Sequence, residues 1–271
     1  MFSLNGKICV VTGAGRGLGR AIALAFAAQG ADVVLAARSR GELETAAAEI
    51  AAKGRRALVQ PTDITRPAAL AALADAAVAA FGRIDIWVNN AGGFTAEPGS
   101  NAEWLEVTEA GWDAMLTLNL KAQIFGAQAA ARAMRQSGGG VILFMSSIDS
   151  LYAAPGGEGI YGACKAALNN VTQTMAIELG QYGIRVNAIA PAVVETPLTQ
   201  PWLATDADRR ARAAFYPLRR VGQPSDVAGA AVYLASDEAA WVSGAVLLVS
   251  GGAVMTSDPY RYLQRVNQAK P

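Results

Sequence analysis

Short apolar runs recur along the chain, each followed by a cluster of glycine, proline or polar residues and then by a longer segment of helical spacing. Lys7-Ile8-Cys9-Val10-Val11 is the first, unbroken and β-branched as in a strand buried on both faces. Comparable runs lie at 31–36, 57–60, 85–88, 141–145, 184–189 and 245–249. Between them, apolar residues return at helical spacing over about 18–29, 41–53, 67–81, 108–136, 161–179 and 225–235. Strands alternating with helices predict an α/β fold with a seven-stranded parallel sheet covered on both faces. No repeat and no long linker divides the chain, so a single domain over 1–255 is expected, with a tail at 256–271. Two stretches lack a clear period. Residues 93–108 read as an irregular loop, and 195–216 as a flexible flap.

Composition narrows this little but usefully. Hydrophobic residues make up 52% of the 271 and charged residues 17%, as in an ordered core. The net charge of +1 gives no electrostatic reason to expect nucleic acid or an anionic membrane as partner. The first residues lack the basic-then-apolar order of a signal peptide, and the apolar run 68–81 is too short to span a bilayer, so a cytoplasmic protein is expected. Two cysteines in separate apolar settings imply no disulfide framework. Histidine is absent, so any proton transfer falls to another side chain.

Three motifs carry chemistry. The first run leads into Thr12-Gly13-Ala14-Gly15-Arg16-Gly17-Leu18-Gly19 and then a helix. Strand, glycine turn and helix are the context of a dinucleotide phosphate site, where free N–H groups meet the pyrophosphate and missing side chains let it approach. The fold class is therefore Rossmann-type and doubly wound. At the end of the second run, Ala37 stands where an acidic residue would bind a ribose 2′-hydroxyl, with Arg38 beside it and Arg16 in the turn. Both features favour NADP(H) over NAD(H). Asp63 follows the third run, placed to reach an adenine edge or to cap the next turn. Finally, Tyr161 and Lys165 share a helix face. A fixed ammonium would lower the phenol's pKa from about 10 and make it a usable acid/base.

Taken in order, these motifs, with Asn89-Asn90-Ala91-Gly92, Asn119 and the serines after the fifth run, resemble the classical short-chain dehydrogenase/reductases from about Leu4 to Gly252. Bacterial hydroxysteroid dehydrogenases and 3-oxoacyl carrier-protein reductases are similar members. The resemblance implies that Tyr161 exchanges a proton with the substrate oxygen and that Lys165 lowers its pKa while holding the nicotinamide ribose. It implies Ser147 as the group bonding the substrate oxygen and Asn119 as anchor of a water in the proton relay. Cofactor contacts would come from Gly13, Arg16, Gly17, Leu18, Gly19, Arg38, Asp63, Ile64, Asn90, Ala91, Gly92, Pro191, Val194 and Thr196, with no metal. A homotetramer is also implied.

Three departures are visible: Pro191-Ala192 where the family has Pro-Gly, Ser250-Gly251-Gly252 where Asp-Gly-Gly is commoner, and one extra residue between Ser147 and Tyr161. The last keeps Ser146 as an alternative catalytic serine. The expected reaction interconverts a secondary alcohol and a ketone on a moderately sized, largely apolar small molecule. Phe94, Trp202, Phe215 and Tyr216 would line the pocket, or else serve as packing. Alternatives are a 3-oxoacyl-carrier-protein reductase, which needs a basic docking patch (from Arg132, Arg135 or Arg219), a sugar dehydrogenase, and a non-catalytic dinucleotide-binding scaffold.

Overall fold

The computed structural model describes residues 1–153 and 156–253. Seven strands form one sheet: β1 (Ile8–Thr12), β2 (Asp32–Ala37), β3 (Ala57–Pro61), β4 (Ile86–Asn89), β5 (Gly140–Met145), β6 (Ile184–Pro191) and β7 (Val246–Val249). Their order is β3-β2-β1-β4-β5-β6-β7, and every adjacent pair is parallel. All five residues of β1 are buried. That explains the unbroken apolar run, because a strand covered on both faces has no position to give to a polar residue.

Helices α1 (Gly17–Ala28), α2 (Arg40–Ala51) and α8 (Pro224–Ala235) cover one face, packing Ile22, Phe26, Leu43 and Val227 against it. On the other face, α3 (Pro67–Phe81), α5 (Ala122–Gln136) and α6 (Gly159–Gly180) contribute Leu73, Met134 and Leu168. The chain runs outward from β1 through β2 to β3, then returns to pair β4 on the other side of β1. Connections leaving β1 and β4 therefore diverge, and a crevice opens at the carboxyl ends of those strands.

Two elements differ from the sequence expectation. The helix expected over 108–136 is three pieces: α4 (Glu109–Leu116), a π-helical turn (Thr117–Lys121) and α5. The wide turn contains Asn119, a poor residue for a helix interior, whose amide is committed to another segment. The 195–216 stretch also holds regular structure. It holds a 3₁₀ turn (Gln200–Leu203) and helix α7 (Asp206–Ala213), which opens with a reciprocal cap between Thr205 and Asp208.

Asp32 is a buried carboxylate at the start of β2, paired with Arg55 at 2.9 Å and Arg56 at 2.7 Å. Among the described residues no helix is long and apolar enough to cross a membrane. The expected boundary between 255 and 256, with Tyr260 and Tyr262 in the tail, lies outside the described residues.

Candidate active site

The crevice is a cleft of about 1810 Å³ running from Arg16 and Arg38 at one end to Trp202 and Phe215 at the other. The end beside the glycine turn is shaped by backbone. Helix α1 starts without a side-chain cap, so its leading N–H groups have no side chain to satisfy them. Gly17, its first residue, has φ +55°, which suits glycine. A Cβ on Gly19 would lie 2.2 Å from the Gly13 carbonyl oxygen, so only glycine lets α1 sit this close to the turn.

The Thr12 hydroxyl donates to Val88 O at 3.1 Å and accepts from Asn90 N at 3.0 Å and Ala91 N at 3.1 Å. The Asn90 amide donates to Thr12 O at 2.9 Å. Together these bonds fix the two diverging strand ends across the crevice. The Asn89-Asn90-Ala91-Gly92 segment is thus a brace for the glycine turn as well as a wall of the cleft.

At the far side of β1, Ala37, Arg38, Asp63 and Ile64 line the cleft. Asp63 accepts from Thr65 N at 3.1 Å and Thr65 Oγ1 at 2.7 Å, with Arg66 at 3.7 Å. The Thr65 hydrogen bonds, helped by the nearby arginines, hold its carboxyl below the ordinary range. Of the two roles open to Asp63, capping the next turn is the one its contacts perform. The Arg16 guanidinium stands 4.0 Å from Glu42, which lies over the glycine turn.

Strand β5 delivers two serines, and their hydroxyls part. Ser146 turns to α6, donating to Asn169 Oδ1 at 2.7 Å. Ser147 donates to Asp149 Oδ2 at 3.0 Å and accepts from Asp149 N at 3.1 Å, closing a 3₁₀ turn over Ile148–Ser150. Ser147 also hydrogen-bonds Tyr161, which tends to lower the phenol's pKa.

Lys165 is buried, one turn along α6 from Tyr161. Its ammonium donates to Met145 O at 2.8 Å and stands 5.3 Å from the Tyr161 ring centre. Asn119 accepts from Gly93 N and donates to Gly93 O, both at 2.8 Å, and donates to Met115 O at 3.2 Å. A Cβ added to Gly92 would lie 3.0 Å from Asn119 Oδ1 and 3.5 Å from Lys165 Nζ, so both side chains converge there.

The electrostatics differ from the expectation that Lys165 lowers the Tyr161 pKa. Burial, reinforced by the nearby Asp149 charge, pushes the phenol up. Burial also brings the Lys165 ammonium down to about 8. With its charge weakened and aimed at Met145 O, the lysine does not offset the desolvation of the tyrosine.

Of the residues expected from the sequence, Gly13, Arg16, Gly17, Leu18, Arg38, Asp63, Ile64, Asn90, Ala91, Gly92, Ser147, Tyr161, Lys165, Pro191, Val194 and Thr196 line this one cleft. Gly19 and Asn119 do not; both support it from behind. The 195–216 segment covers the substrate end. Phe94 packs on Tyr161 with ring centres 5.2 Å apart and edge-on to Trp202 at 5.8 Å.

Sequence reading missed Asp149, Glu158 and Arg212, which line the same end. Burial raises the pKa of both carboxyls. A short-range signal existed for Asp149, two residues after Ser147 in a turn. Arg212 carried none, because only the fold of α7 brings it over the cleft.

The family model described as enoyl-(acyl carrier protein) reductase matches residues 13–254. Among relatives, the 7α-hydroxysteroid dehydrogenase of Escherichia coli (strain K12) is 37% identical over 255 residues, 93% of this chain and 95% of that protein. The L-rhamnose 1-dehydrogenase (NAD(P)(+)) of Sphingomonas sp. (strain SKA58) is 40% identical over 255 residues, covering 92% and 96%. A solved 7α-hydroxysteroid dehydrogenase, complexed with NADH and 7-oxo glycochenodeoxycholic acid, superposes with TM-score 0.86 at 36% identity, covering 94% of this chain and 97% of that one. With its parallel sheet, its glycine turn and the joint placement of Ser147, Tyr161 and Lys165, the chain belongs to the short-chain dehydrogenase/reductases, nicotinamide-dinucleotide oxidoreductases that act on CH–OH and keto groups.

Proposed function

We propose that this enzyme interconverts a secondary alcohol and a ketone on a moderately sized, largely apolar molecule, using NADP(H), with Tyr161 as general acid/base. The observation that carries the reading is that Ser147, Tyr161 and Lys165 open onto the same end of the cleft whose other end is a backbone phosphate cradle. The cradle fits a dinucleotide: α1 is uncapped, and glycine occupies each position where a Cβ would collide. Gly13, Arg16, Gly17 and Leu18 would hold the phosphates, and Ile64 with Asn90, Ala91 and Gly92 the adenosine and ribose path. Pro191, Val194 and Thr196 would hold the carboxamide. Ala37, together with Arg16 and Arg38, supports a preference for a ribose 2′-phosphate.

When bound, the dinucleotide supplies or accepts the hydride. Tyr161 moves the proton at the substrate oxygen, and Ser147 hydrogen-bonds that same oxygen. Lys165 holds its ammonium over the Tyr161 ring, and Asn119 fixes Gly93 and hence the loop that closes this end. Phe94 and Trp202 exclude water beside the phenol and support an apolar substrate. Asp149, Glu158 and Arg212 favour a second reading, a polyhydroxylated substrate such as a sugar. Arg132, Arg135 and Arg219, the arginines a carrier-protein docking patch would use, do not line the cleft itself. The homotetramer and the cytoplasmic location rest on family resemblance and on the sequence.

Nicotinamide absorbance, followed with NADP⁺ and NAD⁺ over hydroxysteroids, aryl and cyclic alcohols and sugars, tests the proposal. Tyr161→Phe should lower kcat by about 10³-fold without changing cofactor affinity. Arg38→Ala should weaken NADP⁺ by about tenfold and leave NAD⁺ unchanged. Preference of the native enzyme for NAD⁺ refutes the arginine argument; turnover of sugars alone selects the second reading.

A further inference from the structure

Ser147 has one proton, and Asp149 receives it. An ionised carboxylate has no hydrogen to give, so the 3.0 Å contact between Ser147 Oγ and Asp149 Oδ2 must use the serine's own hydrogen. The Asp149 backbone N–H also donates to Ser147 Oγ at 3.1 Å. The second lone pair of Ser147 faces Tyr161, which also bonds it, so a substrate oxygen entering between the two hydroxyls meets on the serine a site that receives a hydrogen bond and cannot give one. An alcohol substrate has an O–H to offer to such a group; a ketone has only acceptor electrons.

We propose that Asp149 is a positioning residue that sets the hydrogen-bond polarity of Ser147, so that its ionised form selects the alcohol and its neutral form selects the ketone. This rests on the reading of Ser147 and Tyr161 given above. In the neutral form the carboxyl O–H donates to Ser147 Oγ, and the serine's hydrogen is released toward a ketone oxygen. No bond but hydrogen bonds changes, and the proton taken up by Asp149 comes from solvent through the open end of the cleft.

The groups facing Asp149 are Ser147 on its own turn, Tyr161 and Lys165 on α6, Glu158 just before α6, and Arg212 and Tyr216 on or after α7. Burial outweighs the Ser147 hydrogen bond and the Lys165 and Arg212 charges, so Asp149 titrates above the ordinary carboxylate range. The exchange of polarity therefore occurs nearer neutrality than a free carboxyl would allow.

At any one pH the overall equilibrium between alcohol and ketone is fixed, so a change in the ratio of the two KM values is matched by an equal change, in the same sense, in the ratio of the two kcat values. The readout is the ratio of the alcohol's KM to the ketone's KM as a function of pH. In the native enzyme this ratio should fall about fivefold as pH rises through the Asp149 titration. In Asp149→Asn, which keeps the shape of the side chain but cannot titrate, the ratio should be flat across that range. In Asp149→Ala, which leaves the Ser147 hydrogen free, it should stay at the native low-pH value. A native-like pH dependence in Asp149→Asn overturns the proposal, as does an Asp149→Ala ratio fixed at the native high-pH value. Ser147→Ala and Tyr161→Phe separate this from the parent reading: if they retain turnover, the reading of the site has failed. If they lose it while Asp149→Asn keeps its pH dependence, only the inference about Asp149 has failed.

Discussion

Asp32 shows what a single residue can hide from sequence reading. It stands where an apolar run begins, yet its carboxylate is buried and held by Arg55, by Arg56 Nε at 2.7 Å and by Arg56 N at 2.9 Å. Burial alone would raise its pKa, but the Arg56 hydrogen bonds and the two arginine charges bring it below the ordinary range. A carboxyl with a depressed folded pKa contributes fully above its unfolded pKa, and the contribution is lost as pH falls through the folded value. Asp32→Ala should therefore cost about 2 kcal/mol in a urea melt at neutral pH, and little once the pH is well below the carboxylate range. Gly13, Gly17, Tyr161 and Lys165 were legible in place, because a turn or one helix face sets where they stand. Asp63 was half legible, since it is placed by its turn but its partner is chosen by side-chain direction; Asp149 carried a similar local signal that went unread. Arg55, Arg56 and Arg212 carry no local signal, because Asp32 and Asp149 are brought to them by other elements.

Helix α5 and the π-helical turn before it show the same limit for elements. Apolar periodicity over 108–136 predicted one helix, and periodicity cannot register a turn one residue too wide. The misfit was marked by Asn119 alone. Its amide ties both polar groups of Gly93 to this turn, so the loop after β4 and the start of α5 are one unit. Asn119→Ala leaves those buried groups unpaired, and should cost about 3 kcal/mol in denaturant while reducing turnover, because Gly92 and Gly93 lose their anchor. Helix α7 was a different kind of miss. Thr205 and Asp208 have the spacing of a reciprocal cap, and the signal was present but masked by a segment that lacked an apolar stripe.

At the scale of the molecule, the sheet was readable almost in full, because seven parallel strands, five of them buried at nearly every position and the edge strands β3 and β7 half-buried, leave seven apolar runs. The two thiols report on it. Cys9 lies within β1, and Cys164 lies in α6 beneath the active site; both are free and buried. Burial raises Cys9 well above the ordinary thiol range and Cys164 to about 11. A thiol reagent should therefore leave both unmodified in the native protein and label both only as the whole sheet opens, at a rate that follows global unfolding in a denaturant series. Rapid labelling of Cys164 alone would show that α6 detaches locally.

The cleft has two kinds of wall. Its cofactor end is backbone, where α1, Thr12 and Asn90 fit one another so closely that an added methyl collides. Its substrate end is a short span with caps of its own: Thr205 with Asp208 opens α7, Gln223 with Asp226 opens α8, and Glu195 joins the two through Arg209 and Gln223. Inheritance can act on these walls separately. Thr196 and Pro197 are the part of this span that approaches Gly17, so changes confined to 198–216 can alter what the cleft admits while the glycine turn keeps its shape.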